Sequence, residues 1–149
     1  MMQDIAKRFC FGLGLGALGY FPLEKLSQLI ICKKPKESLD ISRVDRDVKI
    51  QCLCLGILFA PIYEEILYRG LLQGVILQKA SQRIFAPLFA KSAQIIISSF
   101  LFAFPHQNQE YAFLLGLQLG MIKESQLKIA GSIGAHMANN CQALKPLFL

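Results

Sequence analysis

The chain has 149 residues, the size of one domain. Apolar residues make up 54% of it and charged residues 17%, with a mean hydropathy of +0.43; soluble domains run near roughly 45–50% and about 25%, so the balance points to a helical membrane protein. In so apolar a chain the net charge of +6 fits basic loops beside a membrane rather than a nucleic-acid surface: basic and aromatic residues are not interleaved, and no helix-turn-helix or RNA-binding signature is present.

At the N-terminus, Lys7 and Arg8 precede an apolar run from Phe9 to Phe21, the pattern of a signal peptide's first two regions. No small-x-small cleavage site precedes Glu24, and apolar character resumes at Leu26–Cys32. The segment therefore reads as an uncleaved membrane helix, or as two helical pieces hinged near Pro22. Gly12, Gly14 and Gly16 lack the preceding strand and the third spacing of a dinucleotide loop, so they read as a surface for close helix packing. Lys33 to Lys49 is a charged linker, which divides the chain into an N-terminal unit of residues 1–49 and a core of residues 50–149. The positive-inside tendency puts this linker on the cytoplasmic side. If Phe9–Cys32 crosses once, Lys7 and Arg8 then fall on the other side; a hairpin would remove the conflict.

Ile50 to Gln78 is the next helical candidate. Pro61 either starts a helix at Ile62, placing Glu64 and Glu65 in its first turn, or kinks a longer helix. Lys79–Arg83 reads as a polar turn. Ile84–Phe104 is apolar apart from Lys91 and long enough to span a bilayer, and Pro105 ends or kinks it. Tyr111–Ile122 is a shorter apolar run, Lys123–Gln126 a turn, and Leu127–Cys141 a segment rich in small residues that let membrane helices approach closely. No strand alternation and no internal repeat stands out. The fold expected is all-α: a polytopic membrane protein with about four to six helices around a polar cavity. Cys10, Cys32, Cys52, Cys54 and Cys141 are odd in number and irregularly spaced, and they read as small core residues.

Three groups of polar residues interrupt the apolar segments: Glu64, Glu65 and Arg69; His106; and His136 with Asn140. On a helix Glu65 and Arg69 share a face and can pair, whereas Glu64 points about 100° away with no local partner. His136 and Asn140 are also four apart. Each group alone has a structural explanation: an ion pair, a capping histidine, an interhelical hydrogen bond. Three such groups on three apolar segments are harder to explain by packing, because ionisable groups are costly in a membrane. Two histidines, a spare carboxylate and an amide suffice to activate water and hold an oxyanion.

Glu-Glu-x-x-x-Arg at 64–69, Phe-x-x-x-His at 102–106 and His-x-x-x-Asn at 136–140, in that order on successive apolar segments, resemble the CAAX protease and bacteriocin-processing family of intramembrane proteases. The resemblance implies a helical membrane endopeptidase that hydrolyses a peptide bond of a lipid-modified or membrane-associated peptide. Glu64 and His106 would activate the water, His136 and Asn140 would stabilise the oxyanion, and Glu65 and Arg69 would brace the site. It implies membrane lipid and a peptide or protein substrate as partners, no nucleic acid, and a bacterial inner or an organellar membrane. The cofactor expectation stays open between none and one divalent metal such as zinc, whose ligands could only be Glu64, His106 and His136, without the HExxH spacing. The competing reading is a non-catalytic relative acting as an immunity, scaffold or partner-binding membrane protein.

Overall fold

The computed structural model describes residues 2–31 and 45–145. Among them are five helices and no strand: α1 (Met2–Ile31), α2 (Arg46–Ile84), α3 (Pro87–Ala103), α4 (Gln109–Glu124) and α5 (Lys128–Leu144). The all-α expectation holds. Of the charged linker, residues 33–44 lie outside the described residues; Asp45 already caps α2, its side chain accepting the Asp47 N–H.

Several boundaries differ from the sequence reading, each for a local reason. Pro22 lies inside α1, which is one helix and not two hinged pieces. Pro61 lies inside α2, a continuous helix of 39 residues. Glu64 and Glu65 therefore sit mid-helix and not in a first turn. Lys79–Arg83 extends α2 instead of forming a turn, since Lys, Ala, Gln and Arg are good helix formers and no Gly or Pro interrupts them before Pro87. Ala86, which precedes that proline, is extended, so α3 starts only at Pro87 and has 17 residues instead of 21. Lys91 thus falls near the start of α3, exposed. Among the described residues α2 is the one helix long and apolar enough to cross a membrane by itself.

The chain runs up and down. Gly12 and Gly16 of α1 lie against the backbone of Gly131 and Ala135 of α5, so these two helices run side by side in the same sense. Gly56, early in α2, meets Leu144 and Asn140 at the far end of α5. Lys7 and Arg8 thus sit at the end of the bundle opposite Arg46 and Lys49. Gly116 and Gly120 bring α4 close to Ser99 and Ile95 of α3, less tightly than α1 lies on α5. The small apolar core, including Phe102, Leu115, Leu119 and Ala135, lies where α3, α4 and α5 meet.

Burial is inverted relative to a soluble bundle. Glu65, Arg69, Gln73, Ser98, Ser132, His136 and Asn139 are buried, while Leu18, Phe59, Tyr63, Phe89, Phe100 and Phe104 face outward. Cys10, Cys54 and Cys141 also lie on the outer surface, which corrects their reading as core residues.

The glycine contacts give a direct test. A β-carbon at Gly16 would collide with the Ala135 carbonyl, whereas one at Gly14 meets nothing within 4 Å. Gly16→Leu should lower the thermal unfolding midpoint in detergent by the equivalent of about 1–3 kcal/mol or more, as overpacking does. Gly14→Ala should leave it unchanged or slightly raised.

Candidate active site

The site is built on α2. From Cys54 to Phe59, and again from Glu65 to Leu77, its backbone takes π-helical hydrogen bonding. Such wide turns are uncommon and concentrate at functional sites. Here the second stretch begins at Glu65, directly after Glu64.

Glu65 is fully buried and gathers three partners from two helices. Ser132 Oγ donates to its Oε2. His136 Nδ1 approaches its Oε1 at 3.2 Å. Arg69, one turn along α2, faces Oε2 with its Nε at 3.5 Å. The Arg69 Nη1 donates to Ser98 Oγ at 3.0 Å, and Ser98 passes its own proton to Gln73 Oε1 at 3.2 Å. Gln73 Nε2 in turn donates to Glu124 Oε1 at 3.1 Å. A line of buried polar groups thus runs from α5 through α2 and α3 to the end of α4. The Arg69 guanidinium also lies 5.3 Å from the centre of the Phe102 ring, a cation–π distance.

Glu64 faces away from that line and is partly exposed. Its Oε2 is buried and has no hydrogen-bond partner. Two imidazoles face this atom, His106 Nε2 at 3.9 Å and His136 Nε2 at 3.7 Å. Both distances are too long for a direct hydrogen bond. His106 lies just past the end of α3, where Pro105 stops the helix, and its backbone N–H donates to the Ala103 carbonyl at 3.0 Å. Its Nδ1 lies 2.7 Å from the Phe102 carbonyl, which can only accept, so Nδ1 carries the proton and Nε2 turns its lone pair toward Glu64. The same logic applies to His136, whose Nδ1–H is taken by the Glu65 carboxylate. Phe102 holds both rings: His106 stacks on it at 4.6 Å, and His136 meets it edge-on at 5.5 Å.

Of the residues picked out from the sequence, Glu64, His106 and His136 converge on one point, and Glu65 and Arg69 stand behind them. Asn140 lies one turn beyond His136, but one N–H of its amide is given to the Gly56 carbonyl at 2.8 Å. Asn139, passed over on spacing, is the buried amide: its Oδ1 accepts from Tyr111 Oη at 2.8 Å, and its Nδ2 has no partner. Sequence reasoning also missed Ser132, Gln73 and Ser98. The first two carried a signal, because Glu65–Arg69–Gln73 and Ser132–His136–Asn140 both step by four. The chemistry of Glu64, His106 and His136 suits zinc, but among the described residues no group of three or more His, Cys, Asp or Glu side chains is placed to hold a metal ion.

Comparison with known proteins gives one match. A family model described as type II CAAX prenyl endopeptidase Rce1-like covers residues 48–142, from the start of α2 into the last turn of α5. No curated protein and no solved structure matches the chain.

Removing one member of a buried ion pair leaves the other uncompensated, at a cost on the order of 3–5 kcal/mol. Arg69→Leu should therefore destabilise the protein strongly in denaturant titrations carried out in micelles. Glu65→Gln/Arg69→Leu together should be less destabilised than Arg69→Leu alone. Equal loss in both would mean that Glu65 does not depend on Arg69.

Proposed function

The chain belongs to the type II CAAX prenyl endopeptidase Rce1-like family, and on that premise we propose that it is an integral membrane endopeptidase acting on a lipid-modified or membrane-associated peptide. The observation that carries this reading is the buried, unpartnered Glu64 Oε2 facing two imidazole lone pairs.

Separations of 3.7 and 3.9 Å suit a single oxygen atom hydrogen-bonded to the carboxylate and an imidazole at once, each bond being about 2.7–2.9 Å. A substrate water held there donates one proton to Glu64 and the other to His106 Nε2. Its lone pair is then aimed at the scissile carbonyl. As the water attacks, Glu64 takes the proton and later hands it to the leaving amine. His136 sits on the other side with Glu65 on its Nδ1. To hold the oxyanion its Nε2 takes up a proton from solvent, and the Glu65 carboxylate balances the ring's positive charge while that Nε2–H donates to the developing oxyanion. The Asn140 amide has a second N–H beyond the one given to Gly56, and this supplies a further donor. Ser132 and Arg69 fix Glu65, and so fix the tautomer and orientation of His136. Every step is performed by side chains of this protein, without a metal.

The surroundings favour a substrate delivered from lipid. Tyr63 and Ile66 on α2, Phe100 on α3 and Phe104 just past its end face outward around the site. An apolar cleft of about 490 Å³, lined by Phe100, Ala103, Phe104, Phe113 and Leu114 among others, opens beside the end of α3 that leads to His106. Such a surface accepts a lipid chain and offers little to a soluble peptide.

Glu64→Gln should keep the fold, measured by its unfolding midpoint, and lower peptide cleavage by about 10²–10⁴-fold, the usual effect of losing a general base. His106→Ala should do the same. If the purified protein cleaves nothing and both variants retain full cellular function, the protein is a non-catalytic member of the family. For the metal-free mechanism, chelators should leave the cleavage rate unchanged. Stoichiometric zinc in the purified protein, with activity lost on its removal, would overturn it.

A further inference from the structure

Lys91 interrupts an apolar segment, and the catalytic reading does not use it. It lines a cavity of about 810 Å³ at the end of the bundle where α2 stops, α3 begins, α4 stops and α5 begins. This is the end that also carries Lys7 and Arg8, away from Glu64 and His106. Two more lysines, Lys123 and Lys128, line the same cavity. Among its lining residues the sole acid is Glu124, whose Oε1 is already held by Lys123 Nζ at 2.6 Å and by Gln73. Burial pushes the Glu124 carboxyl up, but its hydrogen bonds to Lys123 and Gln73 and the more distant charge of Lys91 outweigh this and hold it below the usual carboxylate value. Three lysines against one ionised carboxylate leave an excess of two positive charges.

The framework around the lysines is rigid on one side and greasy on the other. Gln94, 5% exposed, is tied by its Nε2 to Ser81 Oγ at 2.7 Å and forms part of the wall. Lys128 is held at φ 54°, the left-handed region that a lysine rarely adopts, at the tight turn where α5 begins. Gln78 and Gln82 add amide donors from α2. Phe85 lines the cavity while exposed, and Ile84 and Phe89, its neighbours along the chain, are exposed as well.

From this placement we propose that the cavity bounded by Lys91, Lys123 and Lys128 is a binding site for the phosphodiester headgroup of an anionic phospholipid. A phosphodiester carries one delocalised negative charge on oxygens that several ammonium and amide donors can share. The cavity volume lies in the roughly 300–1,000 Å³ range of small-ligand sites. A free phosphate would satisfy the lysines but leave Ile84, Phe85 and Phe89 uncovered. A lipid satisfies both, with its headgroup among the lysines and its acyl chains against those three side chains. Basic pockets between helices at the membrane surface bind anionic headgroups for this reason.

The test uses the full chain purified in a neutral detergent, with thermal unfolding and native mass spectrometry as readouts. Phosphatidylglycerol at a hundredfold excess over its Kd should raise the midpoint by on the order of 5 °C and remain bound in the spectrometer. Phosphatidylcholine should do neither. Lys91→Gln/Lys128→Gln should lose the phosphatidylglycerol shift and bind that lipid at least about tenfold more weakly. Should this double variant fail to fold, Lys91→Gln alone, at an exposed position, should still reduce the shift. An equal effect of phosphatidylcholine, or a full shift retained in the lysine variants, would overturn the site. Stabilisation by inorganic phosphate as large as by phosphatidylglycerol would assign the cavity to a free anion and overturn the lipid.

Discussion

The Glu65 carboxylate is the constraint on which the rest of the structure hangs. A bare carboxylate in a dry helix bundle is costly by many kcal/mol unless charge and hydrogen bonds surround it. Here the partners come from two helices: Arg69 on α2, Ser132 and His136 on α5. Arg69 needs partners in turn, and Ser98 on α3 accepts from its Nη1. Three helices are locked in register by one buried charge. That register also sets the chemistry, because the nitrogen of His136 that Glu65 leaves free is the one that faces Glu64.

The bundle is organised from the inside by polar groups and not by a large apolar core. Its apolar core is a small cluster on α3, α4 and α5. Elsewhere, helices meet through glycine and alanine backbones, as α1 does on α5, or through buried serines and glutamines. Lipid is as apolar as leucine, so side-chain greasiness cannot drive helices together inside a membrane, while backbone proximity and buried hydrogen bonds can. Large apolar side chains are accordingly turned outward. The same arrangement separates two polar regions along one molecule: the pair of imidazoles around Glu64, and the lysines around Glu124 at one end. The line through Arg69, Ser98 and Gln73 connects them.

Much of the site was legible because its residues break a pattern. Glu64, His106 and His136 stand out in apolar segments, where a charge has no reason to be unless it is used. The every-fourth spacing gave the Glu65–Arg69 pair correctly, since that contact lies within one helix. Other features were hidden for physical reasons. A serine in an apolar helix is cheap and common, so nothing in the sequence set Ser98 apart from Ser99, which only turns back to its own helix at Ile95. Pro22 could be read as a hinge or as part of one helix, and Pro61 as a start or as lying in a longer helix; α1 and α2 continue through both. Asn139 and Asn140 could be ordered by spacing but not by burial, which depends on Tyr111 and Gly56 from other helices.

By itself, the sequence determined the helical class, the three polar groups and the pairing of Glu65 with Arg69. These follow from composition and from periodicity within a helix. The tertiary structure alone decided which groups meet across helices. His106 reaches Glu64 because the chain turns at Pro105 and is pinned to the Phe102 carbonyl. His136 stands between two carboxylates because Gly131, Gly134 and Ala135 let α5 sit against the backbone of α1. Lys91, Lys123 and Lys128 share one cavity because four helix ends come together there. Contacts between segments far apart in the chain depend on the packing of whole helices, and local spacing carries no record of it.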